Sequence, residues 1–415
     1  MKIEIKESNE NYSLSVKSVD TKQVFITIAN QNKDQDILKT ASLLYKKVYE
    51  VLTKYNITVF HERFFGTGKY YNDVQKIRAE ELKLNTQNQC FSYIEGSPYW
   101  GEGVSGINIH GFILCDEDIE DVEFNGIVCG KLYKTDAVDY MLVHTVHGNK
   151  ESDYYGQTYE MFQSMIKVLG KYNFELKNVI RTWIYLDNIL LQYDEFNKAR
   201  TKIFLENGLW SDTVAVDKTE EIYMPASTGI SCGNPHGLTV ISDILAVKTK
   251  DIEKLKYSSE SGKAQKSAMR YGSAFSRAIV LDDKTSKYVY LSGTASIDDL
   301  GNTVYLDDIG LQIDKTYSVI DALLDVSSMK LDNMVEGTVF LKKAEYIDAF
   351  NEYCKSRNIE LPALITVADV CRDNLLFEMD GTFAGGTYYA NGSYRQFNVN
   401  EGENKAVKSS ECTKG

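Results

Sequence analysis

One carboxylic side chain near the carboxyl end of the chain is a candidate general acid. Glu378 lies in the largely apolar run Leu375–Asp380, which predicts a strand. Because side chains alternate across a strand, Glu378 shares a face with Leu376 and Asp380. If that face lines a cleft, burial raises the pKa of Glu378 and suits it for proton transfer near neutrality. On spacing alone, a solvated carboxylate on an edge strand is the alternative.

Arginine and tyrosine side chains recur at spacings that could bind an anion. Arg181 and Tyr185 are four residues apart on a predicted strand, and Tyr193 and Arg200 are seven apart on a predicted helix. The members of each pair therefore point to the same side of their element. A guanidinium group binds a carboxylate through paired hydrogen bonds, and a tyrosine hydroxyl adds a neutral contact. A solvated helix face is the alternative.

Small residues mark two further segments that could approach a ligand closely. Arg270–Arg277 leads into the strand Tyr288–Ser296, which ends in Ser-Gly-Thr-Ala-Ser, and Met224–Ile230 is its counterpart earlier in the chain. Small side chains permit close backbone approach, but they are equally suited to an ordinary tight turn.

Several common chemistries have no motif in this sequence. The five histidines form no helical HxxxH pattern, so no metal site is predicted, and no GxxxxGK[ST] phosphate loop is present. The seven cysteines form no CxxC pair, which favours free thiols in a reducing cytosol.

Composition limits the partners. The 415 residues include 46 basic and 59 acidic side chains, a net charge of −13, which argues against nucleic-acid or anionic-membrane partners. An anionic substrate would have to be met by locally placed arginines. The charged amino terminus is no signal peptide, and no run approaches the roughly 18 apolar residues of a membrane span. A cytoplasmic protein is expected.

A repeat organises the second half of the chain. Leu176–Asp187 is followed by a predicted helix over Tyr193–Asn207, and about 155 residues later Leu331–Lys342 is followed by one over Tyr346–Arg357. Each copy contains a turn, an apolar strand and a helix. The repeat predicts two modules of the same fold.

The predicted modules are residues 1–255, with an elaborated amino-terminal extension, and residues 265–385. Each is expected to be a mixed β-sheet packed on two α-helices, which places the chain in the α+β class. The polar, glycine-containing tail over residues 386–415 is expected to be disordered.

The second module resembles the YjgF/RidA reactive-intermediate deaminases, through Val289–Thr294, Leu331–Leu341 and Phe350-Asn351. The whole chain is similar to the chorismatases, which carry two such modules in one polypeptide. The stretches that carry this resemblance are His61–Gly66, Tyr93–Pro98, Arg181–Tyr185, Tyr193–Arg200, Pro225–Gly229, Phe275–Ala278, Ser292–Ser296, and Ala368–Arg372 with Glu378.

The resemblance assigns expected roles to particular residues. Glu378 matches the family's catalytic acid, and Cys371 resembles the residue found in members that form 3-hydroxybenzoate. The expected substrate-binding residues are Tyr193, Arg200, Arg277, Arg181 and Arg372, together with one tyrosine for which Tyr257 is preferred over Tyr271.

These roles fit chorismate as the substrate, because chorismate carries two carboxylates that Arg200 and Arg277 could each bind. Glu378 would protonate the enolpyruvyl ether, and pyruvate would leave, with no cofactor or metal needed. The ring product would be 3-hydroxybenzoate or a dihydroxycyclohexadienoate. The deaminase family forms trimers with clefts between subunits, and two modules in one chain make part of such a cleft internal, so a monomer is expected.

Two other functions compete with this interpretation. A RidA-type deaminase acting on enamines or imines uses an arginine just after a Pro-Ala pair, but Leu364 and Ser227 occupy those positions here. A non-catalytic module that binds a small ligand is the other alternative, and it would tolerate replacement of Glu378.

Overall fold

The computed structural model describes residues 3–18, 22–34, 36–84, 90–114, 119–210, 223–250, 256–260, 274–282, 286–386, 395–397 and 406–408. No helix among these residues is long and apolar enough to cross a membrane. Within the tail over residues 386–415, Gly386 ends a strand and Arg395–Phe397 pairs with Ala406–Lys408, and the other tail residues lie outside the described ranges.

The first unit spans residues 4–113 and has one sheet and two helices. Asp36 caps its first helix by accepting hydrogen bonds from the backbone N–H groups of Leu38 and Lys39, which would otherwise lack partners. Its elements are β1 (Glu4–Ser8), β2 (Tyr12–Ser18), β3 (Gln23–Asn30), α1 (Ile37–Tyr55), β4 (Ile57–Gly66), α2 (Tyr71–Glu81), β5 (Ser92–Glu95) and β6 (Val104–Ile113).

The second unit spans residues 119–249 and repeats this order. Asp153 and Asn188 cap its two helices in the same way. Its elements are β7 (Ile119–Phe124), β8 (Ile127–Lys134), β9 (Val138–Val146), α3 (Tyr154–Lys171), β10 (Val179–Leu186), α4 (Ile189–Glu206), β11 (Ala226–Ser231) and β12 (Val240–Thr249).

The third unit spans residues 256–386 and has the same order again, with Asp308 as the cap of its first helix. Its elements are β13 (Lys256–Glu260), β14 (Ala278–Asp282), β15 (Ser286–Ala295), α5 (Ile309–Val326), β16 (Met334–Leu341), α6 (Ile347–Ser356), β17 (Ala363–Val367) and β18 (Phe377–Gly386).

All three units share one sheet topology. In order of occurrence within each unit, the six strands lie side by side as first, second, third, sixth, fourth and fifth. The fourth and fifth strands pair in parallel, as β4–β5, β10–β11 and β16–β17 do, while their neighbours are antiparallel. The predicted α+β class, with mixed sheets packed on two helices, is therefore confirmed.

The number of units differs from the two modules that the repeat predicts. The predicted amino-terminal extension forms a complete sheet with its own two helices, so residues 1–255 contain two units. Sequence comparison within the chain missed the first unit because His61–Gly66 shares hardly any residue types with Arg181–Leu186 or Glu336–Leu341. The shared register becomes visible only in the folded sheets.

The hydrophobic residues form four buried clusters. Three of them lie between a sheet and the helices of the same unit. The fourth draws on the other faces of all three sheets, through side chains such as Phe112, Trp183 and Tyr290. Burying apolar surface at about 25 cal/mol per Å² makes this common core a major source of cohesion between the units.

The units close a ring around that core. Strand β11 of the second unit contacts β15 of the third, β17 of the third contacts β3 and β6 of the first, and β4 of the first contacts β8 and β9 of the second. The arrangement is a pseudo-threefold within one polypeptide, with a seam between each pair of units.

Matching bulges define equivalent positions in the three units. The fourth strand is bulged just before His61 in the first unit, before Arg181 in the second and before Glu336 in the third. Two further sets follow from the same registers: Asn108, Asp243 and Asp380 are equivalent, as are Gly106, Ile241 and Glu378.

Gly106 provides a test of the seam between the first and third units. Its φ is +150°, and a Cβ there would lie 2.3 Å from the carbonyl oxygen of Ile28 and 2.5 Å from Cδ2 of Leu364. Because backbone strain and overpacking add, Gly106→Ala is expected to lower the free energy of unfolding by about 3 kcal/mol, measured by urea denaturation. Gly101→Ala is the control: its φ is +111° but no atom lies within 4 Å. Equal losses in both variants would contradict the close contact at Gly106.

Candidate active site

A polar cleft lies at the seam between the second and third units. Its water-accessible cavity volume is about 40 Å³. Helix α4 and strand β11 form one wall, and β15, β18 and the segments preceding β14 and β18 form the other. The lining residues are Tyr193, Phe196, Arg200, Ser227, Gly229, Phe275, Arg277, Gly293, Ala295, Ile297, Cys371, Arg372 and Glu378.

Hydrogen bonds fix the two walls to each other. The backbone N–H of Ser227 donates to Oγ of Ser292 at 2.8 Å, and Ser292 in turn donates to the carbonyl oxygen of Ser276 at 2.5 Å. Ser276 donates through its hydroxyl to the carbonyl oxygen of Met224 at 2.6 Å. The small residues that the sequence marked as close-approach segments therefore join the second unit to the third at the cleft.

Glu378 lies at the base of the cleft and is only 4 % exposed. It occupies the face of β18 that also carries Asp380, as strand alternation predicts. Gly293 on the neighbouring strand β15 makes room for it, because a Cβ at that position would lie 2.1 Å from Oε1 of Glu378. The carboxyl group is thus packed against bare backbone.

This environment favours the protonated form of Glu378. Burial, reinforced by the negative charge of Asp380, raises the pKa of Glu378 from its ordinary value of 4.5 to about 8, although Arg181 and Arg277 act in the opposite direction. The carboxylic acid is therefore largely neutral at pH 7 and can donate a proton.

Two guanidinium groups lie near one aromatic ring in the same cleft. The centroid of the Phe275 ring lies 5.8 Å from Cζ of Arg200 and 5.4 Å from Cζ of Arg277. Asn197 accepts a hydrogen bond from Nη2 of Arg200 at 2.6 Å, which orients that side chain. Arg200 and Arg277 are both buried, so the sequence-predicted pair is brought together in one site.

Arg372 and Cys371 lie on the segment that precedes β18. Nη1 of Arg372 donates to the carbonyl oxygen of Gly301 at 2.7 Å, which holds its guanidinium at the cleft wall. Burial, together with the charge of Glu378, raises the pKa of the Cys371 thiol to about 12, although a hydrogen bond with Tyr193 opposes this shift. Cys371 is therefore a neutral thiol in the free protein.

The structure gives Arg181 a different environment from the one predicted for a substrate-binding residue. Its side chain does not line the cleft but is buried behind it, where Nη2 donates to Oδ2 of Asp380 at 2.9 Å and to Oγ1 of Thr228 at 2.6 Å. Tyr185, on the same face of β10, is buried in the common core. Strand alternation predicted their shared face correctly but could not show what that face contacts.

The assignment of the substrate-binding tyrosine to Tyr257, in preference to Tyr271, stays a prediction. Tyr257 lies on β13 opposite Leu281, but its side chain is not described, and Tyr271 lies outside the described residues.

The other two seams lack an acid at the position equivalent to Glu378. Ile241 occupies it in the second unit and Gly106 in the first. At the seam between the third and first units, Leu364 packs against Gly106 and fills the space. Among the described residues, the pseudo-threefold therefore carries this arrangement of acid and arginines at one seam.

A cluster of possible metal ligands lies at the seam between the first and second units. Within the described part of the chain, the ligand atoms of His61, His144 and Asp243 are all within 4.8 Å of one another. Asp243 already accepts hydrogen bonds from Oγ of Ser92 at 2.7 Å and the backbone N–H of Thr145 at 2.8 Å. Burial holds the pKa of His61 well below its ordinary value, and Arg63 and Arg181 reinforce this effect.

Those two nearby guanidinium groups would also repel a divalent cation. The cluster is therefore better explained as a hydrogen-bonded node than as a metal centre. The sequence did not predict this cluster, because its members come from three distant strands. It likewise did not predict the Asp380–Arg181 ion pair or the space at Gly293.

The protonation of Glu378 predicts how stability depends on pH. Because the folded state raises its pKa, the folded protein binds this proton more tightly than the unfolded chain between pH 4.5 and about 8. The contribution of Glu378 to the free energy of unfolding is thus fully present below pH 4.5 and decreases as the pH rises to about 8. Relative to wild type, Glu378→Gln should gain roughly 4 kcal/mol of unfolding free energy between pH 4 and pH 9, measured by denaturant titration. A difference that does not change with pH would contradict the buried neutral acid.

Comparison with known proteins places the fold. No protein-family model matches the sequence, and no curated protein matches it. A crystal structure of a chorismatase is similar with a TM-score of 0.57 and 18% identity, covering 79% of this chain and 93% of that one. A putative endoribonuclease L-PSP from Entamoeba histolytica matches with a TM-score of 0.27 and 20% identity, over 31% of this chain and 98% of that one. The chain has the fold of the solved chorismatase, which confirms at the level of fold the resemblance seen in its sequence.

Proposed function

We propose that this protein is a chorismatase that releases pyruvate from chorismate by protonating the enolpyruvyl ether. The observation that carries the proposal is the buried, largely neutral Glu378 in one cleft with Arg200, Arg277 and Arg372. Three guanidinium groups beside a neutral acid make a locally cationic cleft in a chain of net charge −13. Such a cleft suits a small dianion.

The residues divide the work between binding and chemistry. Arg200 and Arg277, which both lie near the Phe275 ring, are suited to bind the two carboxylates of chorismate. Glu378 then transfers its proton to the terminal methylene carbon of the enol ether, which leaves an oxocarbenium centre at the ether carbon. The negative charge of the bound substrate raises the pKa of Glu378 further and keeps the acid protonated.

The fate of the ring defines two product classes. If water attacks the oxocarbenium centre, the hemiketal collapses to pyruvate and a dihydroxycyclohexadienoate, and one water is consumed. If the C4 hydroxyl oxygen instead attacks the oxocarbenium carbon, cleavage of the C4–O bond with loss of the C3 proton aromatises the ring. The hemiketal left on the C3 oxygen then collapses to pyruvate, which carries the former C4 oxygen, and to 3-hydroxybenzoate. The released protons return to the phenol and to Glu378, so no water is consumed. We favour 3-hydroxybenzoate because Cys371, which carries the resemblance to members with this product, lines the cleft beside Tyr193.

We further propose that the protein is a cytoplasmic monomer. The ring of three units already contains the seams that a trimer of single units would form between subunits. Five cysteines of the described residues are free thiols, in keeping with a reducing compartment.

The first test is turnover of chorismate. Wild-type protein incubated with chorismate is expected to release pyruvate, followed by coupling to lactate dehydrogenase, and mass spectrometry identifies the ring product. Because Glu378→Gln removes the proton donor but keeps the shape, it is expected to lower kcat by a factor of about 100 or more while KM changes little.

Each other outcome has a distinct meaning. No pyruvate from folded wild-type protein would contradict the chorismatase proposal, and turnover of an enamine instead would favour the deaminase alternative. Pyruvate release at full rate by Glu378→Gln would contradict the assignment of Glu378 as the acid, but not the assignment of chorismate as the substrate.

The second test concerns the space that Gly293 provides. A Cβ in Gly293→Ala would lie 2.9 Å from Cδ of Glu378 and closer to its Oε1, so the carboxyl group must move. We expect kcat to fall by a factor of about 10 to 100, since small displacements of a catalytic group carry large losses. Gly229→Ala is the matched control, because it also lines the cleft but its Cβ would meet no atom within 4 Å. Equal losses in both variants would contradict the positioning role of Gly293.

A further inference from the structure

A buried ion pair lies directly behind the candidate acid. Asp380 is two residues after Glu378 on the same face of β18 and is 1 % exposed. Its Oδ2 accepts hydrogen bonds from Nη2 of Arg181 at 2.9 Å and from Oγ1 of Thr228 at 2.7 Å. Arg181 and Thr228 belong to β10 and β11 of the second unit, whereas Asp380 and Glu378 belong to the third.

We propose that Asp380, Arg181 and Thr228 form a positioning unit that holds β18 against β11 and sets the protonation state of Glu378. The proposal deepens the proposed function, since it concerns the acid of the same cleft. None of the three side chains lines the cleft, so they act through Glu378 and do not contact the substrate.

The positioning unit joins the two walls of the cleft. Strand β11 supplies Ser227 and Gly229 to one wall, and β18 supplies Glu378 to the other. The bonds from Arg181 and Thr228 to Asp380 cross the seam two residues from the acid, so they fix the position of its carboxyl group relative to the opposite wall.

The positioning unit also places two opposite charges near Glu378. The charge of Asp380 raises the pKa of Glu378, and the charge of Arg181 lowers it. The two effects oppose each other, and burial is the largest cause of the raised pKa of Glu378. Burial lowers the pKa of Arg181 to about 10, which still leaves it a cation at neutral pH. Removing either partner alone would leave a single buried charge next to the acid.

Other groups also face Glu378, and the design of the test takes them into account. Arg277, from the segment before β14, lowers the pKa of Glu378, and the negative charge of ionised Glu378 raises the pKa of the Cys371 thiol. The remaining titratable or charged groups of the cleft are Tyr193, Arg200 and Arg372. All of these stay unchanged in the variants below.

The equivalent seam between the first and second units provides an internal comparison. Asp243 is the counterpart of Asp380, and His61 is the counterpart of Arg181. Asp243 accepts from Ser92 at 2.7 Å, as Asp380 accepts from Thr228. The buried aspartate is thus common to both seams, while the guanidinium partner occurs at the seam that carries the acid.

The experiment compares two single variants with the variant that combines them. Asp380→Asn leaves the Arg181 cation unbalanced and should move the titration of Glu378 to lower pH by about 1 to 3 units. Arg181→Met leaves the Asp380 carboxylate unbalanced and should move it to higher pH. The double variant removes both charges and should return the titration to near its wild-type position, which a merely structural role would not produce.

Two readouts are needed so that this proposal and the proposed function can fail separately. The first is the alkaline limb of the pH profile of pyruvate release. The second is the pH dependence of unfolding free energy in each background with and without Glu378→Gln, which reports the same titration without any substrate. A shift in the second readout with no pyruvate from any variant would overturn the proposed function but support the positioning unit.

Asp243→Asn is the matched control, since it removes an equally buried aspartate at the other seam. It is expected to lower stability without moving the titration of Glu378. If Asp380→Asn does not fold, Arg181→Met still tests the opposite sign. A titration that stays in place in the single variants, moves in the same direction in both, or stays displaced in the double variant would overturn the proposal.

Discussion

The candidate site depends on the burial of one carboxyl group at a seam between two units. Glu378 is packed against the bare backbone at Gly293, with Asp380 behind it, and this environment holds its pKa near 8. An ionised carboxylate would be costly there unless balanced by the surrounding arginines. The protein thus keeps an acid protonated at neutral pH and surrounds it with guanidinium groups that can bind an anion.

The pseudo-threefold explains how such a site arises at one seam of three. All three units present the same strand register toward the common core, and each places a polar residue at the position of Asn108, Asp243 or Asp380. Of the equivalent positions two residues earlier, the one in the third unit carries an acid, Glu378, whereas the other two units have Gly106 and Ile241. Joining the units in one chain frees each seam to differ, which identical subunits of a trimer cannot do.

Local patterns predicted the parts of this arrangement that depend on local geometry. Strand alternation placed Glu378 and Asp380 on one face, and helical spacing placed Tyr193 and Arg200 on another. The first unit escaped notice because its strand β4 conserves register but not residue types. Arg181 was expected at the substrate because sequence gives a residue's direction along its own strand, whereas its partner Asp380 lies 199 positions away.

We infer that Glu378 is a neutral carboxylic acid in the folded protein. The infrared difference spectrum between wild type and Glu378→Gln at pH 7 tests this directly, because protonated and ionised carboxyl groups absorb at separate frequencies. We predict the carbonyl band of a protonated carboxylic acid, which shifts in deuterated water and is lost above about pH 8. Carboxylate bands at pH 7 with no protonated carbonyl band would contradict the account.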